Sequence, residues 1–141
     1  MNTGILAQLY AHQTDIKAGM AETQTLLTAD TIDALATAHA RWKLTRLLTG
    51  YQMFKHQRIF DPLTRHGAPE DSRIAQRMKI DCVALGETFR VYLGRWTASG
   101  IEGHEAEYRR DASGMMAMLH RHILRERSGI EALLAPEKRV A

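Results

Sequence analysis

Apolar residues recur along this chain at intervals of three, four and seven, the mark of helices that bury one face. In residues 3–28, Ile5, Leu9, Ile16, Met20 and Leu27 share a face, with His12 between Leu9 and Ile16. Thr28 to Thr31 breaks the pattern, and Asp30 or Thr31 is placed to cap the next helix. A second periodic segment spans 32–60 and carries Leu35, Trp42, Leu44, Leu47, Leu48, Met53, Phe54, Ile59 and Phe60. Pro62 and then His66-Gly67-Ala68-Pro69 are expected to end it, because proline lacks an amide proton and crowds the preceding turn. Asp71 or Ser72 caps a third segment, 73–97, with Ile74, Met78, Val83, Leu85, Phe89, Tyr92 and Trp96, and Ala98-Ser99-Gly100 closes it. The fourth covers 101–134, with Gly103 leaving its start open and Pro136 opening a charged, frayed tail at 135–141. No strand-like alternation occurs. Four amphipathic helices of roughly 25 to 30 residues joined by short loops predict an all-α, up-down-up-down antiparallel four-helix bundle. It forms a single domain over 1–141, with its core at about 5–134.

Composition narrows the function. At 141 residues, with 45% hydrophobic and 25% charged residues, the chain can bury a real core. The formal charge of +3 is spread over interleaved acids and bases, which argues against nucleic acid and against a polybasic membrane anchor. No apolar run approaches roughly 18 residues and no basic segment precedes an apolar one at the start, so neither a span nor an export signal is expected. The single cysteine, Cys82, excludes an intrachain disulfide and fits a reducing compartment, so a cytoplasmic location is expected. No glycine-rich phosphate loop, paired-cysteine zinc motif or serine-nucleophile elbow is present. With no nucleophile or proton-transfer set standing apart, the chain reads as a binding protein and not as an enzyme.

The candidate chemistry lies on the fourth segment. His122 and Glu126 are four residues apart and project from one face, which also carries Met115, Met118 or Leu119, and Ile130. Burying an imidazole and a carboxylate costs several kcal/mol unless they are paired or ligated, so the pair asks for partners. A faint internal duplication supplies them. Gln52 and His56 lie 40 and 44 residues after His12, while His122 and Glu126 lie 41 and 45 after Asp81. In a bundle those six positions converge on the axis, where metal sites of this architecture are built.

These residues resemble the hemerythrin-like, or HHE cation-binding, family. Tyr10-Ala11-His12-Gln13-Thr14-Asp15-Ile16 matches that family's first-helix histidine. Lys55-His56-Gln57-Arg58-Ile59-Phe60-Asp61-Pro62-Leu63 is similar to its second-helix element, and His122-Ile123-Leu124-Arg125-Glu126 to its fourth. The resemblance covers about residues 5–134 and implies a non-haem metal site. His12, His56 and His122 would supply nitrogens, Asp81 and Glu126 oxygens, and Gln52 a weaker oxygen. The set departs from the family pattern, with Gln52 where a histidine is usual, His56 where a glutamate is usual, and Asp81 where a histidine is usual. Three imidazoles and two carboxylates suit mono- or dinuclear iron, or else manganese or zinc. The implied use is sensing, storage or transport of dioxygen, nitric oxide or redox equivalents, with a diatomic ligand at an open position.

The same polar set is also compatible with a buried hydrogen-bond network that holds no metal. The protein is then a regulatory or signalling module, docking a protein partner or a second copy through Arg109-Arg110 or Arg121, Arg125 and Arg127. A histidine phosphotransfer domain using His39, His104 or His120 is a weaker alternative, since no supporting glycine and lysine context surrounds them. His66 and His120 are expected in solvent, while His39 and His104 could face inward at another level. Tyr108 and Asp111 share the His122 face. Trp42, Phe89, Trp96 and the Met115-Met116-Met118 cluster are expected as core filler, and Cys82 as an inert buried thiol.

Overall fold

The computed structural model describes residues 2–135, with side chains from residue 4 onward. It is all-helical: α1 Asn2–Thr28, α2 Ala34–Lys55, a π-helical turn His56–Phe60, α3 Asp61–His66, α4 Pro69–Ser99 and α5 Glu105–Leu133. No strand occurs among the described residues, and no helix there is long and apolar enough to cross a membrane. The tail from Pro136 onward lies outside the described residues.

Each long helix buries a stripe that repeats about every seven residues. On α1 it is Leu9, Gln13, Ile16, Met20, Thr23 and Leu27. On α2 it is Thr37, Leu44 and Tyr51, joined by Lys55. On α4 it is Ala75, Cys82, Phe89 and Trp96, and on α5 the series runs from Tyr108 through Leu119, His122 and Glu126 to Leu133. Steps of three and four keep such a stripe on one side of a helix of 3.6 residues per turn. Contacts between neighbouring helices pair early residues of one with late residues of the other. Tyr10 meets Glu131 and Arg109 meets Leu27 between α1 and α5; Glu22 pairs with Lys43 and Gln13 with Tyr51 between α1 and α2. Arg95 pairs with Glu107, and Trp96 donates to Asp111 at 2.6 Å, between α4 and α5. Trp96 also meets Tyr108 edge-on at 5.0 Å, closing the end of the core away from His122.

Several boundaries differ from the sequence expectation. The second helix does not stop before Pro62. Its amide-less ring follows the π turn, in which Asp61 N–H reaches back five residues to the His56 carbonyl. The wider turn gives the ring space, and the helix runs on to His66. The cap of α2 is Asp33, accepting from Ala36 N at 3.0 Å, and not Asp30 or Thr31; the Asp30 carbonyl instead accepts from Arg109. α4 opens at Pro69, two residues before the expected cap, since proline at a helix start loses no hydrogen bond.

The core expectation also changes at α2. Trp42 is 55% exposed, not core filler. Its ring lies between His39, at 6.1 Å, and the Arg46 guanidinium, at 4.9 Å, so side chains of its own helix cover it. Leu35, Met53, Val83 and Met118 are exposed too, because they fall outside the buried stripes. Phe89, Trp96, Met115 and Met116 are buried as expected.

The α4–α5 connection turns at Gly100, whose φ of 70° and ψ of 176° lie in a region open essentially to glycine alone. Gly100→Ala is expected to cost about 1–3 kcal/mol by thermal denaturation. Unchanged stability would show that the turn relaxes freely.

Candidate functional site

Polar residues from all four long helices meet inside the stripes. Gln13 Nε2 donates to the Tyr51 hydroxyl at 2.9 Å, and that hydroxyl donates to Glu126 Oε1 at 3.0 Å. Lys55 Nζ reaches both oxygens of Glu126, at 2.7 and 2.6 Å, and donates to Cys82 Sγ at 3.1 Å. The same ammonium lies 4.1 Å from the centre of the Tyr51 ring, so the carboxylate, the sulfur and the ring's negative face surround it. His122 Nε2 approaches Glu126 Oε2 to 3.2 Å without the alignment of a hydrogen bond, so it stays a buried nitrogen lacking a hydrogen-bond partner. Lys55, Glu126 and His122 are each more than nine-tenths buried.

Such groups stay inside only if they compensate one another. Burial opposes the charged form of Glu126, but the His122 ring 3.2 Å away and the Lys55 charge outweigh it and hold the carboxyl below its usual range. Burial likewise opposes the His122 imidazolium, yet Cys82 and Glu126 overcome it and raise this histidine to about 9. Tyr51 is pushed up by burial and by the Glu126 charge, so its hydroxyl keeps its proton.

Of the residues singled out from sequence, the structure brings His122 and Glu126 into this cluster. His12 is half-buried and stacks on Phe54 with ring centroids 4.9 Å apart. His56 lies in the π turn, tilted against Phe60, with Nε2 buried and lacking a hydrogen-bond partner. Burial and the neighbouring Lys55 and Lys79 charges lower its pKa. Asp81 is exposed, and Gln52 is half-buried at the mouth of a pocket. In each case the adjacent residue takes the inner place: Gln13 beside His12, Tyr51 and Lys55 beside Gln52 and His56, Cys82 beside Asp81. One residue is about 100° around a helix, enough to carry a side chain out of the core. The phase was present in the sequence, since Gln13 sits seven before Met20, Tyr51 seven after Leu44, and Cys82 seven before Phe89. His39, His66, His104 and His120 are exposed, while Tyr108 is fully buried.

Among the described residues, one group of three or more histidine, cysteine or acidic side chains is close enough to hold a metal. It is Cys82, His122 and Glu126, with donor atoms within 4.8 Å of one another. One sulfur, one nitrogen and one carboxylate suit a single zinc or iron ion and do not make the nitrogen-rich set of a dinuclear iron centre. Lys55 Nζ already bridges the sulfur and the carboxylate, so an ion could enter only if that ammonium moved away.

The cluster forms the floor of a pocket of about 210 Å³ between α2, α4 and α5. Tyr51, Lys55, Cys82 and His122 reach it, and Leu48, Leu85, Phe89, Leu93, Leu119 and Ile123 make apolar walls. No protein-family model, curated protein or solved structure matches this chain.

Proposed function

We propose that this protein is a hemerythrin-like bundle of up-down-up-down form that works without a resident metal, as a regulatory module whose pocket receives a small ligand. The contacts between early and late residues of neighbouring helices support the bundle arrangement. The observation that carries the functional reading is the place of Lys55. Its ammonium, 2.6–3.1 Å from Glu126 and Cys82, sits where a metal would share those donors. A cation covalently held by α2 supplies the positive charge that the Glu126 carboxylate needs when buried. The apolar pocket above it gives a ligand access to the cluster.

A second reading rests on the 4.8 Å grouping of Cys82, His122 and Glu126: these three hold one metal ion, with Lys55 swung aside and a diatomic ligand at the open position. Metal analysis separates the two. Protein purified without chelator is expected to carry no stoichiometric iron, manganese or zinc and to take up no iron under reducing conditions. Lys55→Ala, which frees the three donors, is expected to gain a zinc site and to be stabilised by zinc where the natural protein is not. A full equivalent of metal in the natural protein would overturn the metal-free reading in favour of the second.

A further inference from the structure

We propose that Cys82 is a modification site at which the sulfur is oxidised to a sulfenic acid by an apolar alkyl hydroperoxide bound in the pocket. The inference rests on the metal-free reading, since a bound ion would occupy the sulfur.

Three observations point the same way. Cys82 Sγ accepts a hydrogen bond from Lys55 at 3.1 Å, so a cationic donor stands beside the atom that would gain oxygen. His122 lines the same pocket, and its buried Nε2, 3.2 Å from Glu126 Oε2 but outside hydrogen-bond alignment, leaves a polar group to meet an incoming ligand. Leu48, Leu85, Phe89, Leu93, Leu119 and Ile123 make most of the remaining wall, with Thr45, Thr49, Gln52 and Arg90 as its polar part, and the volume is about 210 Å³. An apolar cavity of about 150 Å³ is enough to hold benzene, so the pocket has room for an alkyl or aryl tail.

The chemistry balances within the pair of reactants. The sulfur lone pair forms an S–O bond to the terminal oxygen of the hydroperoxide, and the O–O bond breaks with its electrons on the alkoxide. The thiol proton ends on that alkoxide, giving the alcohol and the sulfenic acid. Sulfur is oxidised by two electrons and the hydroperoxide is reduced by two. Cys82 is the chain's single cysteine, so no second thiol within it converts the product to a disulfide. The new oxygen gives Lys55 an acceptor that competes with Glu126, so oxidation redistributes the hydrogen bonds joining α2, α4 and α5.

The protein is treated with cumene hydroperoxide or with hydrogen peroxide at equal concentration, with dimedone present to trap sulfenic acid, and the adduct is mapped by mass spectrometry. The expected result is dimedone on Cys82, forming roughly tenfold or more faster with cumene hydroperoxide, because its tail is buried against the pocket walls. Cys82→Ser takes no adduct. Gly86→Leu is expected to erase the preference: a Cβ there would approach the flexible Gln52 amide at 3.3 Å, so the side chain fills the mouth without striking backbone. It also replaces a helical glycine and keeps the fold. No adduct at Cys82, equal rates with the two oxidants, or a preference surviving Gly86→Leu would each overturn the proposal. Metal content of the same sample tells the failures apart: stoichiometric metal counts against the metal-free reading, whereas metal-free protein without adduct counts against this inference alone.

Discussion

Lys55→Met is expected to destabilise the protein by about 3–5 kcal/mol, because it strips the buried Glu126 carboxylate of its two ammonium contacts and leaves it only the misaligned His122 ring. Lys55 is 2% and Glu126 3% exposed, so water cannot take the place of the missing ammonium at little cost. For a chain of this size the loss corresponds to a fall in Tm of roughly 10–20 °C. The double variant Lys55→Met/Glu126→Gln is expected to recover most of it. The amide oxygen still accepts from the Tyr51 hydroxyl, which donates to Glu126 Oε1 at 3.0 Å, and His122, no longer facing a carboxylate, sheds its proton, so no charge is stranded. Coupling of this kind is what a double-mutant cycle measures between residues in one network. A single-variant loss below about 1 kcal/mol would mean the pair behaves as a solvated surface bridge.

Raising the pH from 6.5 to about 9 is expected to remove about 2–3 kcal/mol of stability through His122. In the folded protein this imidazole titrates near 9, against an ordinary value of 6.5. Folding therefore favours its protonated form. The contribution is complete below pH 6.5, shrinks through the interval, and is gone above the folded value. Glu126 acts on the opposite limb: its lowered pKa gives stability that is present above the usual carboxylate range and is lost as acid protonates it. Thermal melts from pH 5 to 10 should show the alkaline decline in the natural protein and its absence in His122→Asn. A Tm independent of pH over 6.5–9, matched by the variant, would show that His122 is not held as an imidazolium. The cluster gives the decline its sign: Glu126 favours the charge, while Lys55 opposes it.

The four long helices were legible because their apolar spacing repeats over many turns, and the α1 limits differ from expectation by a single residue at the start. The passage through Pro62 was not. A π turn is a choice among backbone hydrogen bonds, and the side chains of His56 to Phe60 carry no mark of it. The site was half legible. On α5 the functional types, His122 and Glu126, coincide with the buried phase, so chemistry and periodicity point to one answer. On the other long helices they diverge. Selecting residues for their ability to ligate a metal leads to His12, His56 and Asp81, whereas the seven-residue phase leads to Gln13, Tyr51 and Cys82, with Lys55 one turn beyond Tyr51. Lysine is the hardest of these to anticipate, since it is almost never fully buried unless paired, and its pair lies 71 residues away.

If the charge beside Glu126 is supplied by a lysine and not by a bound ion, as proposed, the core depends on different things. An exchangeable metal is held only as well as its free concentration allows, and a chelator or a change in supply can empty the site. Lys55 cannot dissociate: the chain keeps it at a high effective concentration beside Glu126, so the local charge is fixed when the protein is synthesised. On the proposed metal-free reading the fold's integrity is uncoupled from the metal economy of its surroundings, and dialysis against a strong chelator should leave the melting curve where it was.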